Sequence, residues 1–417
     1  MKVNAERFLA RFDALSAITV EPPFTRRAFT ATYLEGRAWL KQQMLEAGLS
    51  VTLDAGANLL GQLEGTRSSR ALVSGSHIDT VVGGGRFDGI LGVLAALEVA
   101  QTLIDHSVQL HHALEVVDFL SEEPSDYGPS CIGSRAWAGT LSPAMLTATN
   151  GAGESLGDAI QRMGGDVSQL ETPLRSGDQL AAYVELHIEQ GRVLEAAGAD
   201  IGEVTGIVAI GRFELVFTGR ADHAGTTPMA LRSDALVAAS RFTANLSDAA
   251  RLEAGIVATV GRLEVAPNNS NVVPGSVRLT FEARSLEVGH LEMFCAAALE
   301  SARDAAALEG VSLESKLVST AAPLIADARV RAAIRHAAQG VQCLELPSGA
   351  GHDAMQVGRL CPAGMIFIPC RGGRSHAQDE FSTSAQLVIG AQVLLETIVE
   401  LDRVFARIPR AENSLDT

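Results

Sequence analysis

The sequence predicts an α/β fold in which a domain built on a mostly parallel sheet is interrupted by a second, inserted domain. Four short apolar runs in the outer parts of the chain each lead to a histidine or a carboxylate, as strands of an open parallel sheet do at their functional edge. The middle of the chain instead predicts strands and helices in the order β-α-β-β-α-β, which is that of a ferredoxin-like domain. We therefore place one discontinuous domain at residues 1–206 and 321–417, and the inserted domain at 207–320.

The composition is that of an acidic globular protein. Of its 417 residues 47% are hydrophobic, and 33 basic against 49 acidic residues give a net charge of −16. Such a charge repels phosphate backbones and anionic lipids, so we expect neither nucleic acid nor a membrane as a partner. Residues 1–15 predict an amphipathic helix and not a signal peptide, and no run reaches about 18 apolar residues. We expect a soluble, cytoplasmic protein.

The cysteines are dispersed along the chain and form no CxxC pair. This spacing argues against a disulfide framework or a zinc knuckle. We expect these five residues to be buried, small apolar side chains. They are Cys131, Cys295, Cys343, Cys361 and Cys370.

The elements of the first domain follow from the apolar runs. Residues 89–104, between the first two runs, are apolar nearly all round and predict a buried helix. Strands joined by such a helix pair in parallel, and their carboxyl ends meet at one edge of the sheet. The runs and the residues after them are 71–76 with His77 and Asp79, 113–120 with Glu122 and Glu123, 181–186 with His187, and 364–369 with His376.

The strands of the inserted domain have a different sequence pattern from those of the first domain. These predicted strands alternate apolar and polar residues, as expected for an antiparallel sheet with one solvated face. A proline near the start favours the first helix. The predicted elements are strand 212–220, helix 228–246, strands 256–264 and 276–284, helix 287–308 and strand 311–318.

Seven side chains near the strand ends could support metal-dependent chemistry. Imidazoles mixed with carboxylates, without thiolates, suit Zn²⁺, Mn²⁺, Co²⁺ or Ni²⁺. Two divalent ions about 3.5–4 Å apart can share a carboxylate and activate a water, whose proton a further carboxylate must accept. Adjacent carboxylates could divide these tasks, and an aspartate two residues after a histidine could fix its tautomer. The seven are His77, Asp79, Asp88, Glu122, Glu123, His187 and His376.

The motifs around these residues resemble the M20 metallopeptidase superfamily and, within it, the hydantoinase/carbamoylase branch. The resemblance covers about residues 5–405 and preserves the order of the family's motifs. That branch contains N-carbamoyl-L-amino acid, allantoate and ureidoglycolate-type amidohydrolases and β-ureidopropionases. The motifs are GSHIDT, GGGRFDGILGVLAALEV, SEE, ELHIEQG, DHAGTTPM, NNSNVVPG, GAGHDAM and RSHAQDEFS.

The resemblance implies a role for each matching residue of the first domain. His77 and His187 would bind one metal ion, Glu123 and His376 the other, and Asp88 would bridge them. Glu122 would be the general base. The ions would be Zn²⁺ or Mn²⁺, with Co²⁺ or Ni²⁺ as further options. Peptidase members usually carry Asp or Glu at the ligand position of His187, whereas the carbamoylase branch carries His.

The resemblance also makes the inserted domain a lid and a dimerisation surface. Side chains of this lid, together with Gln190, would bind the carboxylate and ureido groups of the substrate. His223 would also act in catalysis, stabilising the oxyanion in the active site of a homodimer partner. His352 either lines the pocket or holds its glycine loop. The expected substrate-binding residues are Gln190, Arg212, His223, Asn271, Arg284 and His352.

Two segments depart from the usual family pattern. After the base, many members read EEGSRF, whereas this chain has Pro124, an aspartate at 126 where arginine is usual, and Tyr127. After the last ligand the usual SHNPAE is replaced by SHAQDE. The ligands are retained in both places, so these departures bear on the substrate and not on metal binding.

We expect a dimeric di-metal amidohydrolase that cleaves the C–N bond of a ureido group on a small carboxylate. N-carbamoyl-L-amino acids are the first substrate class, and ammonia and carbon dioxide are the products. Allantoate, ureidoglycolate and β-ureidopropionate are alternative substrates. An aminoacylase or dipeptidase of the same superfamily is a further alternative, against which His187 and Gln190 argue. A binding protein without activity is disfavoured, because the ligands and base are complete.

Overall fold

The computed structural model describes residues 1–407, which divide into two compact units. The first unit comprises Met1–Gly206 and the chain from Ala326 onward, and the second comprises Ile207–Ile325. The second unit therefore extends beyond the predicted end at residue 320.

The helices belong to both units, and short 3₁₀ turns also occur at Val167–Gln169, Met229–Leu231 and Arg371–Gly373. The helices are α1 (Ala5–Ser16), α2 (Ala31–Glu46), α3 (Ile90–Asp105), α4 (Ile132–Ala138), α5 (Pro143–Leu146), α6 (Leu156–Arg162), α7 (Val193–Ala197), α8 (Ala235–Leu252), α9 (Val288–Leu308), α10 (Ala328–Ala337), α11 (Ala354–Val357) and α12 (Ser384–Ala406).

The strands are β1 (Ser50–Leu53), β2 (Leu59–Leu63), β3 (Ala71–Ser76), β4 (Ala113–Asp118), β5 (Leu180–Ile188), β6 (Ile201–Ile207), β7 (Ala209–Thr218), β8 (Asp222–His223), β9 (Val257–Ala266), β10 (Val272–Val273), β11 (Ser276–Ser285), β12 (Ser312–Ala321), β13 (Leu324–Ile325), β14 (Cys343–Ser348) and β15 (Ala363–Ile368).

The central sheet of the first unit is largely parallel, as the apolar runs predict. Its strands follow the order β1-β2-β4-β3-β5-β15-β6, and β14 also pairs with β6. The neighbours β4, β3, β5 and β15 pair in parallel, whereas β1, β2 and β6 add antiparallel edges. Every residue of β3, β5 and β15 is buried, because helices cover both faces of a parallel sheet. The four predicted runs are these four parallel strands.

Helix α12 is a core element of the first unit. The helix has 23 residues, and by length and composition alone it is long and apolar enough to cross a membrane. The sequence shows no uninterrupted apolar run here because polar and charged residues interrupt it. Half of its most apolar window is buried, and residues such as Leu394 and Leu401 belong to the core cluster that also contains α3. Thr383 caps its first turn in a capping box with Gln386. Its apolar face is therefore accounted for by packing inside the unit.

The second unit has its own core around an antiparallel sheet. The strands lie in the order β12-β7-β11-β9, and α8 and α9 pack on them through residues that include Phe242 and Phe294. Helix α8 begins at Ala235, later than the predicted residue 228. The side chain of Asp234 accepts hydrogen bonds from two backbone amides of the first turn, and this cap fixes the start more strongly than Pro228 does.

The cysteines are free thiols. Four of them are buried, as expected, but Cys343 is exposed at the start of β14. For this residue the expectation of burial is wrong, because β14 is a mostly exposed strand.

Candidate active site

The predicted metal ligands of the first unit converge at the carboxyl edge of the parallel strands. His77 directly follows β3, His187 lies near the end of β5, and Glu123 follows β4. Asp88 precedes α3, and His376 lies in the segment after β15. All of them are buried except His376, whose side chain is about half exposed (48%).

Asp88 stands between two groups of donor atoms. Its Oδ1 lies 3.0 Å from His187 Nε2 and 4.0 Å from His77 Nε2. Its Oδ2 lies 3.0 Å from His376 Nε2, which is also 2.9 Å from Glu123 Oε1. Within each group the donor atoms lie within 4.8 Å of one another, close enough to hold one ion. The donors are imidazole nitrogens and carboxylate oxygens, the set that suits Zn²⁺ and Mn²⁺.

The ring orientations of two histidines are fixed by backbone carbonyl groups. His77 Nδ1 bonds the backbone oxygen of Asp79 at 2.9 Å, and His187 Nδ1 bonds that of Ile188 at 2.8 Å. Each ring therefore presents Nε2 to Asp88. In the absence of an ion, hydrogen bonds to Asp88 and Glu123 raise the pKa of His376 to about 10. An incoming cation would displace that proton.

Asp79 acts differently from the prediction. Its carboxylate lies 3.6 Å from His77 Nδ1, so the tautomer is fixed by the backbone oxygen of Asp79 and not by the side chain. The carboxylate instead accepts hydrogen bonds from the backbone amides of Glu122 and Glu123, both at 3.2 Å. Asp79 therefore holds the turn that carries the proposed base and one of the proposed ligands.

Glu122 lies beside the ligands and is not shared between the two donor groups. Its Oε2 is 3.6 Å from His77 Nε2, and its Oε1 accepts a weak hydrogen bond from the thiol of Cys131 at 3.4 Å. Burial raises the pKa of Glu122 well above its usual range. Backbone bonds from Cys131 and Ile132 to Glu122 and Ser121 hold this segment against the start of α4. A carboxylate so placed could exchange a proton with a water at the centre.

The segment at residues 124–127, which departs from the family pattern, is held by contacts within the first unit. Asp126 forms a 2.6 Å ion pair with Arg27, and the Tyr127 ring packs edge-on against Phe29 with centroids 5.1 Å apart. The Tyr127 hydroxyl donates to Glu154. Hydrogen bonds from Arg162 and Tyr127 hold the pKa of that carboxyl at about 2. The aspartate that replaces the usual arginine thus has a charge partner of its own.

Gln190 lies at the shared carboxylate. Its Nε2 donates to Asp88 Oδ2 at 2.9 Å and to Ser375 Oγ at 3.2 Å, and its backbone is left-handed, with φ 56°. The other side-chain atom, Oε1, is buried and has no hydrogen-bond partner. An unpaired buried acceptor is costly, so this atom is suited to accept from an N–H group of a bound molecule.

His352 is buried behind the site. Its ring packs on that of His187 with centroids 4.5 Å apart, and its Nε2 lies 2.9 Å from Ser348 Oγ. Burial and the neighbouring His187 lower its pKa well below the usual range. Only 2% of the surface of His352 is exposed, and its contacts include His187 and Ser348 beside the glycine loop. Its role, lining the pocket or holding the loop, stays a prediction.

Two candidate residues of the second unit lie on its small β8–β10 pair. His223 faces Val272 in the strand register, and the backbone oxygen of Asn271 accepts from the Ala224 amide at 2.9 Å. His223 Nδ1 accepts hydrogen bonds from the backbone amides of Gly225 and Thr226, which close a tight turn after His223. The imidazole itself is exposed.

Two candidate arginines of the second unit share one carboxylate. Arg284 lies 2.6 Å from Glu282 Oε1, and Arg212, on the neighbouring strand, lies 2.6 Å from Glu282 Oε2. Hydrogen bonds from both arginines outweigh the effect of burial and lower the pKa of Glu282. Glu282 therefore brings two guanidinium groups together on one face of the sheet.

Sequence reasoning missed several polar residues that support the site. Ser375, Glu380 and Cys131 contact Asp88 or Glu122 directly, through a side chain or a backbone amide. Ser375 and Glu380 both lie in the RSHAQDEFS motif, which is the signal that could have found them. Cys131 had no such signal, since a lone cysteine is more often an apolar filler.

The chain is similar to known proteins along most of its length. The sequence model of peptidase family M20/M25/M40 matches residues 73–400. The N-carbamoyl-L-amino acid amidohydrolase of Geobacillus stearothermophilus is 39% identical over 404 residues, covering 96% of this chain and 99% of that protein. The allantoate amidohydrolase of Bacillus subtilis is 34% identical over 384 residues, 90% and 92% of the two chains. The crystal structure of a hydantoinase/carbamoylase family amidase from Burkholderia multivorans superposes with a TM-score of 0.90 at 34% identity, over 96% and 98% of the chains.

Proposed function

The chain belongs to peptidase family M20/M25/M40, in the hydantoinase/carbamoylase branch, and is a hydrolase of C–N bonds; on that premise we propose that it cleaves the ureido group of N-carbamoyl-L-amino acids. The products would be the free amino acid, ammonia and carbon dioxide. The observation that carries the proposal is the position of Asp88 between two donor groups, with Glu122 beside them.

The donor groups would hold two divalent ions, Zn²⁺ or Mn²⁺, with Co²⁺ or Ni²⁺ as further options. His77, His187 and Asp88 would bind one, and Asp88, Glu123 and His376 the other. When bound, the ions would supply Lewis acidity, which polarises a carbonyl group and lowers the pKa of water. Asp88 has one carboxylate oxygen facing each group, which supports its role as the shared ligand.

Glu122 would transfer the proton. It is buried, lies outside both donor groups, and reaches to 3.6 Å from His77 Nε2. Its carboxylate would take a proton from the attacking water and return it to the leaving amine. Cys131 and the backbone of the Glu122 turn hold it in place, and Asp79 holds the turn itself.

Gln190 favours a ureido group over other acyl groups. A ureido substrate ends in an –NH₂ group, and Gln190 Oε1 is a buried acceptor without a partner next to Asp88. An N-acetyl group offers a methyl at that position and would leave the acceptor unpaired, which costs affinity. His187 at the ligand position points the same way, since by the resemblance peptidases of the superfamily usually carry a carboxylate there.

The second unit would bind the substrate carboxylate. Arg284 and Arg212 present two guanidinium groups held by Glu282, and a guanidinium pairs with a carboxylate through two parallel hydrogen bonds. By the resemblance, Asn271 and His223 would add polar contacts, and the unit would act as a ferredoxin-like lid and form a homodimer. We propose that the enzyme acts in the cytoplasm.

A substrate panel tests this proposal. Metal-free protein would be loaded with Mn²⁺, and ammonia release would be measured on N-carbamoyl-L-amino acids, N-carbamoyl-β-alanine, allantoate and ureidoglycolate. An N-acetyl amino acid and a dipeptide would be followed by the appearance of amine. We expect the highest kcat/KM on an N-carbamoyl-L-amino acid. Preference for allantoate or ureidoglycolate would assign the enzyme to another activity of the same branch. Turnover of the acyl or peptide compounds alone would contradict the proposal.

A further inference from the structure

Glu380 is a buried carboxylate that reaches the loop carrying Asp88. It is 3% exposed and lies in the segment after β15. Its Oε1 accepts hydrogen bonds from the backbone amides of Phe87 at 2.8 Å and of Asp88 at 3.2 Å. Because these segments are 292 residues apart in sequence, Glu380 ties two distant parts of the chain together beside the proposed shared ligand.

Ser375 extends this link to the side chain of Asp88. Its hydroxyl lies 2.9 Å from Glu380 Oε2 and 3.0 Å from Asp88 Oδ2. Gln190 Nε2 also donates to Ser375 Oγ and to Asp88 Oδ2. The oxygen of Asp88 that faces His376 is therefore held through the segment that contains both Glu380 and His376.

Gly85 leaves the space that Glu380 occupies. A Cβ placed on Gly85 would overlap the carboxyl carbon and both oxygens of Glu380. The residue has φ +106°, a conformation that side-chain-bearing residues rarely adopt. The glycine run of GGGRFD is thus fitted to the carboxylate as well as to the turn before α3.

We propose that Glu380 is a positioning residue that sets the distance between Asp88 and His376 and so governs binding of the second ion. This inference rests on the proposed function, because it assumes two ions. His77 and His187 are oriented by backbone carbonyl groups next to them in sequence, without Glu380. Loss of Glu380 should therefore weaken the group Asp88–Glu123–His376 more than the group that contains His77 and His187. Residues that hold metal ligands in this way typically change affinity by about 10–100-fold.

Calorimetric titration with Mn²⁺ tests the inference. Metal-free wild type, Glu380→Ala and Glu380→Gln would be titrated, with His376→Ala as the reference that identifies the event belonging to the second group. We expect Glu380→Ala to weaken that event by about 10–100-fold and the other by much less. Glu380→Gln should stay within a few-fold of wild type. Its amide oxygen can accept from the Phe87 and Asp88 amides, and its NH₂ group can face Ser375.

Glycine variants provide an independent check that does not alter the carboxylate. Gly85→Ala should reproduce the loss seen in Glu380→Ala. Gly340→Ala is the matched control, because Gly340 has φ +100° and a Cβ there would meet no atom within 4 Å. Both variants place a side chain at a positive φ, so loss of the second binding event in Gly85→Ala alone would support the inference.

Three results would overturn it. One is wild-type Mn²⁺ affinity at both events in Glu380→Ala or in Gly85→Ala. Another is an equal loss of Mn²⁺ affinity at the second event in Glu380→Gln and Glu380→Ala, which would show that Glu380 acts through its charge and not through hydrogen bonds. A wild type that binds fewer than two ions would contradict the proposed function as well, which distinguishes that failure from the first two.

Discussion

At the scale of single residues, two features characterise the site. One oxygen of Asp88 faces each donor group, and imidazole rings are protonated in the absence of ions. His376 Nε2 lies 3.0 Å from Asp88 Oδ2 and 2.9 Å from Glu123 Oε1, and the interactions with these two carboxylates raise the pKa of His376 to about 10. At pH 7–8 this ring is therefore protonated in metal-free protein, and an ion can bind only by displacing the proton.

Metal binding should therefore release protons. We expect Mn²⁺ titrations at pH 7.5 in HEPES and in Tris, which differ in ionisation enthalpy, to report proton release into the buffer. Because the pKa of His376 lies above the working pH, affinity should increase as the pH rises. His376→Ala should release fewer protons. Equal apparent enthalpies in both buffers would contradict the assignment of His376 as a ligand.

Arg284 should determine affinity for the substrate carboxylate. Arg284→Ala should raise KM for an N-carbamoyl-L-amino acid roughly 10–100-fold, the usual effect of losing a hydrogen-bonded charge worth about 1.5–3 kcal/mol. The matched control is Arg262→Ala, since Arg262 pairs with Glu264 two residues away on an exposed strand of the same unit. Steady-state kinetics would show no change in this control. An unchanged KM in Arg284→Ala would remove Arg284 from the substrate site.

The proposed ligand residues could be singled out from the sequence because each follows an apolar strand or lies in a glycine-rich turn. The supporting residues could not. Glu380 acts on backbone amides 292 residues away, and the carboxylate of Asp79 bonds two amides 43 and 44 residues away. Such contacts depend on which loops meet after folding. His352 was predicted from its motif, but its packing against His187 is not encoded in that motif.

At the scale of elements, helix α12 is joined to the loop before β4 by one carboxylate. Asp402 accepts from the backbone amides of His111 and His112, both at 2.9 Å, and from the buried ring of His112 at 2.8 Å. Burial raises the pKa of Asp402, but these hydrogen bonds outweigh it and leave the pKa below its usual value. The contact fixes one end of a core helix to the parallel sheet.

Asp402→Ala should lower the free energy of unfolding by about 1–3 kcal/mol at pH 7, because buried donors lose their acceptor. A depressed carboxyl pKa stabilises the fold above the unfolded pKa, and this contribution is lost as the pH falls. The difference from wild type should therefore persist at pH 4, above the usual aspartate pKa of 3.8, and shrink only as the pH falls further toward the lowered pKa of Asp402. Urea unfolding would measure it, with Glu400→Ala as a control for an exposed pair on the same helix. Equal losses in both variants would contradict this account of Asp402.

The parallel strands were predictable because burial on both faces makes them continuous apolar runs. The strands β1 and β14 were not, since neither is continuously buried and neither carries a comparable apolar pattern. The late start of α8 shows a competition between two start signals. Asp234 caps the helix through two amide bonds, and Pro228 precedes a separate 3₁₀ turn.

At the scale of the whole molecule, we propose that metal binding and proton transfer are divided between different residues at one edge of the first unit. Two donor groups share Asp88 and would hold the ions, and Glu122 lies beside them and would move the proton. The second unit would supply the carboxylate-binding groups. A change at Glu122 alone should therefore greatly reduce turnover without lowering the metal content.

Glu122→Gln tests this division between metal binding and proton transfer. Metal content would be measured by plasma mass spectrometry on wild type and variant loaded with Mn²⁺, alongside ammonia release from an N-carbamoyl-L-amino acid. We predict two ions per chain in both proteins and a loss of kcat of roughly 10²–10⁴-fold in the variant, the usual contribution of a general base. Retention of turnover, or loss of an ion together with turnover, would contradict the account.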